Sequence, residues 1–60
     1  MYKYFVVYMY NNNGGYNFAN CESIVEECLS NIERINKLAD RIAKDMNKDC
    51  VVILNFILLE

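Results

Sequence analysis

The sequence predicts one α+β domain, residues 1–60, of element order β-β-α-β, with a three-stranded antiparallel sheet (order 2-1-3) and one helix packed on one face. Three observations predict it. Two runs rich in aromatic, β-branched and other apolar residues, 2–10 and 50–58, have the composition of strands. A tight-turn signal, Asn11-Asn12-Asn13-Gly14-Gly15, follows the first of them. Between the turn and the last run lies an apolar stripe with helical spacing.

The first strand covers residues 2–10 and contains no Gly or Pro. The Asn and Gly residues after it accept the positive φ that short hairpin loops require. The chain then returns as a second strand, 16–25, through Phe18, Ala19 and Cys21 to Val25. The helical stripe runs from Ile24 and Val25 through Leu29, Ile35, Leu38 and Ile42 to Met46, so periodicity alone permits a helix from residue 24. Two capping boxes compete, Ser23 with Glu26 and Ser30 with Glu33. Ser30 is preferred as the N-cap, in part because a hairpin needs a second strand long enough to pair with the first; the helix is then expected over 31–47. The polar stop Asn47-Lys48-Asp49 ends it, and the last strand spans 50–58.

A helix between the second and third strands reverses the chain, so strand three runs antiparallel to strand one and can lie beside it. The alternative order, 1-2-3, pairs strands two and three in parallel through a right-handed crossover. The order 2-1-3 is preferred because strand one is apolar on both faces, as a central strand is. Alternation puts Lys3, Phe5, Val7 and Met9 on one face and Tyr2, Tyr4, Val6, Tyr8 and Tyr10 on the other. In the last strand it sets Val52, Leu54, Phe56 and Leu58 against Val51, Ile53, Asn55, Ile57 and Leu59. The wholly apolar sets suit the face under the helix. The tyrosine side, with Ile53 and Ile57, is then expected to be uncovered.

Composition bears on function. A chain of 60 residues with 55% hydrophobic side chains has more apolar surface than one thin core hides, since a domain of this size buries only about 60% of its unfolded surface. A large rigid ring with a polar tip suits an interface, so the expected docking residues are Tyr2, Tyr4, Tyr8, Tyr10, Ile53 and Ile57, for a protein partner or a second copy in a homodimer. The bland alternative is a solvated tyrosine coat. An aromatic sheet face also suits stacking of single-stranded bases, but the basic frame such platforms carry is missing around these rings.

Six Lys and Arg against eight Asp and Glu give a net charge of −2, which disfavours a general nucleic-acid binder. One local exception stands out. Arg34, Lys37, Arg41, Lys44 and Lys48 recur three and four apart and line up on a helix. They are the candidate contacts for an accessory nucleic-acid-binding role; the plain reading is a solvated helix back, flanked by Glu33, Asp40 and Asp45.

Catalytic and metal chemistry find no support. The chain has no His, which removes Cys-His and Ser-His nucleophile pairs and mixed Cys/His zinc sites. Gly14-Gly15 sits in a hairpin, not before a helix, and so is not a phosphate loop. Cys21, Cys28 and Cys50 are odd in number and lack metal-site spacing; reduced thiols are expected, with a redox switch as the alternative. The expectation is a non-enzyme with no cofactor and no bound metal. No secretory pattern opens the chain, and the apolar run 51–59, interrupted by Asn55, is far short of the ~20 residues a spanning helix needs. A cytoplasmic protein with no membrane role is expected, with Leu59-Glu60 read as a possible cloning scar.

The opening Tyr4-Phe5-Val6-Val7-Tyr8-Met9-Tyr10, the segment Asn17-Phe18-Ala19-Asn20-Cys21 and the closing Val51-Val52-Ile53-Leu54-Asn55-Phe56 resemble a group of small uncharacterised proteins carried by phages and integrated conjugative elements of low-GC Gram-positive bacteria. The resemblance spans most of the chain in the same order. In that group the middle segment is closer to Gly-Phe-Gly-Asn, and Asn17 and Ala19 stand here where it has glycines. The resemblance implies an accessory protein of a mobile genetic element, with no known activity and no functional residues to transfer. The resulting expectation is a non-catalytic protein-interaction module that binds a partner or itself through the uncovered sheet face.

Overall fold

A computed structural model describes residues 1–48 and 50–59. Asp49 of the anticipated polar stop and Glu60 of the anticipated scar lie outside the described residues. Three strands, β1 (Tyr2–Asn12), β2 (Gly15–Val25) and β3 (Val51–Leu58), and one helix, α1 (Ile32–Met46), follow in the order β1-β2-α1-β3. The sheet order is β2-β1-β3, and both pairings are antiparallel.

β1 and β2 pair without interruption from Tyr2 opposite Val25 to Asn12 opposite Gly15. Each strand reaches further into the turn than composition suggests, because only Asn13 and Gly14 are needed to reverse the chain. Both have positive φ, 54° and 84°, the pairing that a two-residue hairpin matched to strand twist demands. A Cβ at position 14 would meet nothing within 4 Å, so the constraint there is backbone conformation alone.

The N-cap of α1 is Asn31, not Ser30. Asn31 has extended backbone, and its Oδ1 accepts from the Arg34 N–H at 3.0 Å. The Ser30 hydroxyl instead accepts from the Arg34 guanidinium at 3.0 Å. At the other end Asn47 adopts the left-handed conformation, φ 56°. Its N–H donates to the Lys44 carbonyl, and that of Lys48 to the Ala43 carbonyl, which closes the helix in a Schellman motif.

The sheet face under the helix is the tyrosine face, which reverses the sequence-based assignment. Val6 is wholly inaccessible, and Tyr8 and Tyr4 are 2% and 6% exposed. They form one core with Leu29 from the connector and with Leu38 and Ile42 from α1. Burial is tolerable for the tyrosines because their hydroxyls find partners. The Tyr4 hydroxyl accepts from the Leu29 N–H at 3.0 Å, and the Tyr8 hydroxyl donates to Met46 Sδ at 2.7 Å. The Tyr4 ring also meets Phe56 edge-on, with centroids 5.6 Å apart.

β3 departs from simple alternation. Val7 pairs with Asn55 but its neighbour Tyr8 pairs with Ile53, so Leu54 is an extra residue in a bulge. A one-residue insertion exchanges the two faces of everything beyond it. Val51, Ile53 and Phe56 therefore all pack on the core, whereas Asn55 and Ile57 share the other face with Phe5 and Val7, their pairing partners. The expected grouping of Phe56 with Val52 and Leu54 fails for this reason. The Asn55 Oδ1 accepts from the Phe56 N–H at 2.9 Å, so its side chain supplies a partner for a backbone donor beside the bulge.

Candidate docking face

The face of the sheet turned away from α1 has no element over it among the described residues, and its side chains follow from register. One row sets Phe18 of β2, Met9 of β1 and Val52 of β3 side by side. The next, at mid-strand, is Asn20, Val7 and Asn55. The third is Glu22, Phe5 and Ile57, with Ile24 beside Lys3 beyond it. Phe18 is 70% exposed and Ile57 54%, and Ile24, Leu54 and Val52 are each more than 40% exposed. Phe5, Val7 and Met9 at the centre are half-buried. The result is a wide apolar surface with two amides across its middle and Lys3 and Glu22 as its charges.

Of the residues expected to dock, the structure gathers five on the covered side and separates the sixth. Tyr4 and Tyr8 are core residues and cannot reach a partner without removing the helix. Ile53 and Tyr10 pack against that core, and the Lys48 ammonium lies 5.2 Å from the centre of the Tyr10 ring. Tyr2 is exposed at the start of β1, its ring 6.5 Å from that of Tyr4. Ile57 alone stands on the open face, because of the bulge. Burial, and secondarily proximity to Cys21 and Tyr10, pushes the Tyr8 phenol above its ordinary value of 10.0.

The residues that do form the open face carried a signal in the sequence. Lys3 falls in the Phe5/Val7/Met9 set, and placing that set under the helix would bring a cation toward the core. In β2, Ala19, Cys21 and Ser23 alternate with Phe18, Asn20 and Glu22. The small set leaves room for a helix, whereas the other contains a carboxylate. Ser23 is indeed buried, at 6% exposure.

The basic stripe is less available than its spacing suggests. The Arg34 guanidinium meets Glu27 at 2.7 Å and donates to the Cys28 carbonyl at 3.1 Å. Arg41 donates to the Ile24 carbonyl at 3.1 Å, fastening α1 to the end of β2. Lys48 sits over Tyr10. Lys37 lines an open groove of about 360 Å³ between the end of β2 and α1, together with Arg34, Arg41, Leu29 and Leu38. Lys44 is exposed in the last turn. The arginines thus serve first as ties between helix, connector and sheet.

All three cysteines are free, Cys21 and Cys28 half-buried and Cys50 exposed. Among the described residues no three Cys, Asp or Glu side chains gather as metal ligands, and no helix is long and apolar enough to cross a membrane. Comparison with known proteins finds no match: no family model, curated protein or solved structure is similar to this chain.

Proposed function

We propose that the protein is a non-catalytic interaction module that docks another polypeptide surface on the open face of its sheet. The observation that carries this reading is the apolar face itself, centred on Phe5, Val7 and Met9 and widened by Phe18, Val52 and Ile57. A contiguous apolar patch beyond a few hundred Å² is uncommon on a monomer and marks an interaction site. The charge stripe on α1 is weaker ground for a nucleic-acid role, because Arg34, Arg41 and Lys48 already have partners within the chain. The resemblance of the three sequence segments adds a setting, an accessory protein of a mobile element acting in the cytoplasm, where the free thiols would stay reduced.

Oxidative footprinting of Met9 and Phe18 tests the reading. Both side chains should label readily in the dilute purified chain and be protected inside cells that express it. Equal labelling in the two settings would show that nothing docks there.

A further inference from the structure

Resting on that reading, we propose that the occupant of the open face is a second copy of this chain, stacked sheet on sheet about a two-fold axis parallel to β1. The area of the face favours a second copy. With about 150–200 Å² for each fully exposed large side chain, the fractional exposures of Phe18, Ile24, Val52 and Ile57 correspond to roughly 330–440 Å² of apolar surface. The half-buried Phe5, Val7 and Met9 and the exposed Asn20, Glu22 and Asn55 add to it. Two such faces together approach the lower end of the ~1,200–2,000 Å² range of stable interfaces.

The face is also largely self-complementary, as a two-fold interface requires. An axis parallel to β1 and passing over Val7 lays β2 of one copy across β3 of the other. Phe18 then faces the partner's Val52, Met9 meets its own counterpart, and Asn20 faces the partner's Asn55. The row of Phe18, Met9 and Val52 meets itself and the amide row meets the amide row, while at one end of the face Glu22 lies over the partner's Ile57 and Lys3 over its own counterpart. Turning the axis perpendicular to the strands would instead set Asn20 and Asn55 each against its own counterpart. Sheets stacked with their strands within about 30° of one another pack their inner side chains in this way.

The amides also match in hydrogen-bonding sense. Asn55 Oδ1 is occupied by the Phe56 N–H, which leaves its Nδ2 group to donate. Asn20 on the partner supplies the carbonyl oxygen. Two equivalent Asn55-to-Asn20 hydrogen bonds then flank the axis on either side of Val7. Paired polar side chains within an otherwise apolar interface fix its register, as a buried Asn does between coiled-coil helices. The face has little charge with which to select an acidic or basic partner, and that also favours a copy of itself.

Sedimentation equilibrium over a wide micromolar range, at low and high salt, reads the proposal, with footprinting of Met9 and Phe18 on the same samples. The weight-average mass should rise with concentration from the 7.1 kDa chain to twice that value, independently of salt, and both residues should become protected in step. Phe18→Lys should hold the chain at monomer mass with its far-UV spectrum intact, since position 18 is 70% exposed in the single chain. Asn20→Leu, which removes the acceptor for Asn55, should shift the dissociation constant upward by about tenfold, about 1.4 kcal/mol. A chain that stays monomeric, with both residues reactive at every concentration, overturns the second copy. Protection in cells with no self-association in the tube would do the same while leaving the docking reading intact with another partner. Loss of protection in both settings would remove both readings. A Phe18→Lys chain that still dimerises would place the interface elsewhere and also overturn the proposal.

Discussion

Val6 and Val7 are adjacent, identical in chemistry and on opposite faces of the central strand, so the same truncation at each measures which face lies under the helix. Val6 is wholly inaccessible within the core of Tyr4, Tyr8, Leu38 and Ile42. Val6→Ala removes two buried methyl-sized groups, about 1.6 kcal/mol of transfer free energy at ~0.8 kcal/mol each. The cavity left behind brings the expected loss to about 2–3 kcal/mol. Val7 is half-buried on the open face, and Val7→Ala should cost less than about 1 kcal/mol. The lower strand propensity of Ala affects both variants and largely cancels in the comparison. For a 60-residue chain, whose whole stability is about 3–9 kcal/mol, the difference is large. The Val6→Ala loss alone corresponds to a fall in Tm of roughly 8–24 °C at about 4–8 °C per kcal/mol. Urea unfolding followed by far-UV circular dichroism is the assay. It belongs at protein concentrations where the wild-type midpoint no longer depends on concentration, so that association does not enter. Equal losses, or a larger loss at Val7, would refute the assignment of faces.

Other consequences can be measured on the same scale. Tyr4→Phe deprives the buried Leu29 N–H of its acceptor and should destabilise the fold by about 1–2 kcal/mol, whereas Tyr2→Phe, at the exposed start of β1, should leave the midpoint almost unchanged; equal effects would deny the Tyr4 contact its role. Asn47 is left-handed at the helix C-terminus, so Asn47→Gly should be neutral or stabilising and Asn47→Ala destabilising by about 1 kcal/mol, and the opposite order in thermal melts would contradict the cap. The Tyr8 phenol is raised by burial, so the folded state favours its neutral form. That contribution is complete below the unfolded value near 10 and is lost as pH rises from there through the folded value. Stability should therefore fall on the alkaline side, and Tyr8→Phe should flatten that limb; an unchanged limb would mean that Tyr8 ionises freely.

Element order and sheet topology were legible because they depend on composition and on chain reversal. Nine residues from Tyr2 without Gly or Pro, an Asn-Gly turn and one helical stripe leave few arrangements open. The N-cap was misplaced by one residue, because Ser30 and Asn31 are both good caps, and the structure uses Ser30 to hold the Arg34 side chain. The candidate site was misread through one premise, that the more purely apolar side of β1 must be the buried one. A tyrosine brings more apolar ring than a valine or methionine brings chain, and its hydroxyl can be satisfied at the edge of a small core. That happens here through Leu29 N–H and Met46 Sδ. The signals that oppose the premise, Lys3 on one side and the small Ala19-Cys21-Ser23 set on the other, are weaker in number but stronger in energy. The bulge at Leu54 could not be read at all. Nothing in a run of Val, Ile, Leu, Asn and Phe marks where one residue is skipped, and its effect on Phe56 and Ile57 follows only from the pairing register.

Which sheet face α1 covers decides both the core and the docking face, and nuclear Overhauser contacts between helix methyl groups and aromatic rings answer that directly. In a dilute, methyl-labelled sample, Leu38 and Ile42 should show contacts to the rings of Tyr4 and Tyr8 and none to Phe5 or Phe18. Contacts from those methyls to Phe5, with Tyr4 and Tyr8 silent, would contradict the fold's orientation and the docking face with it.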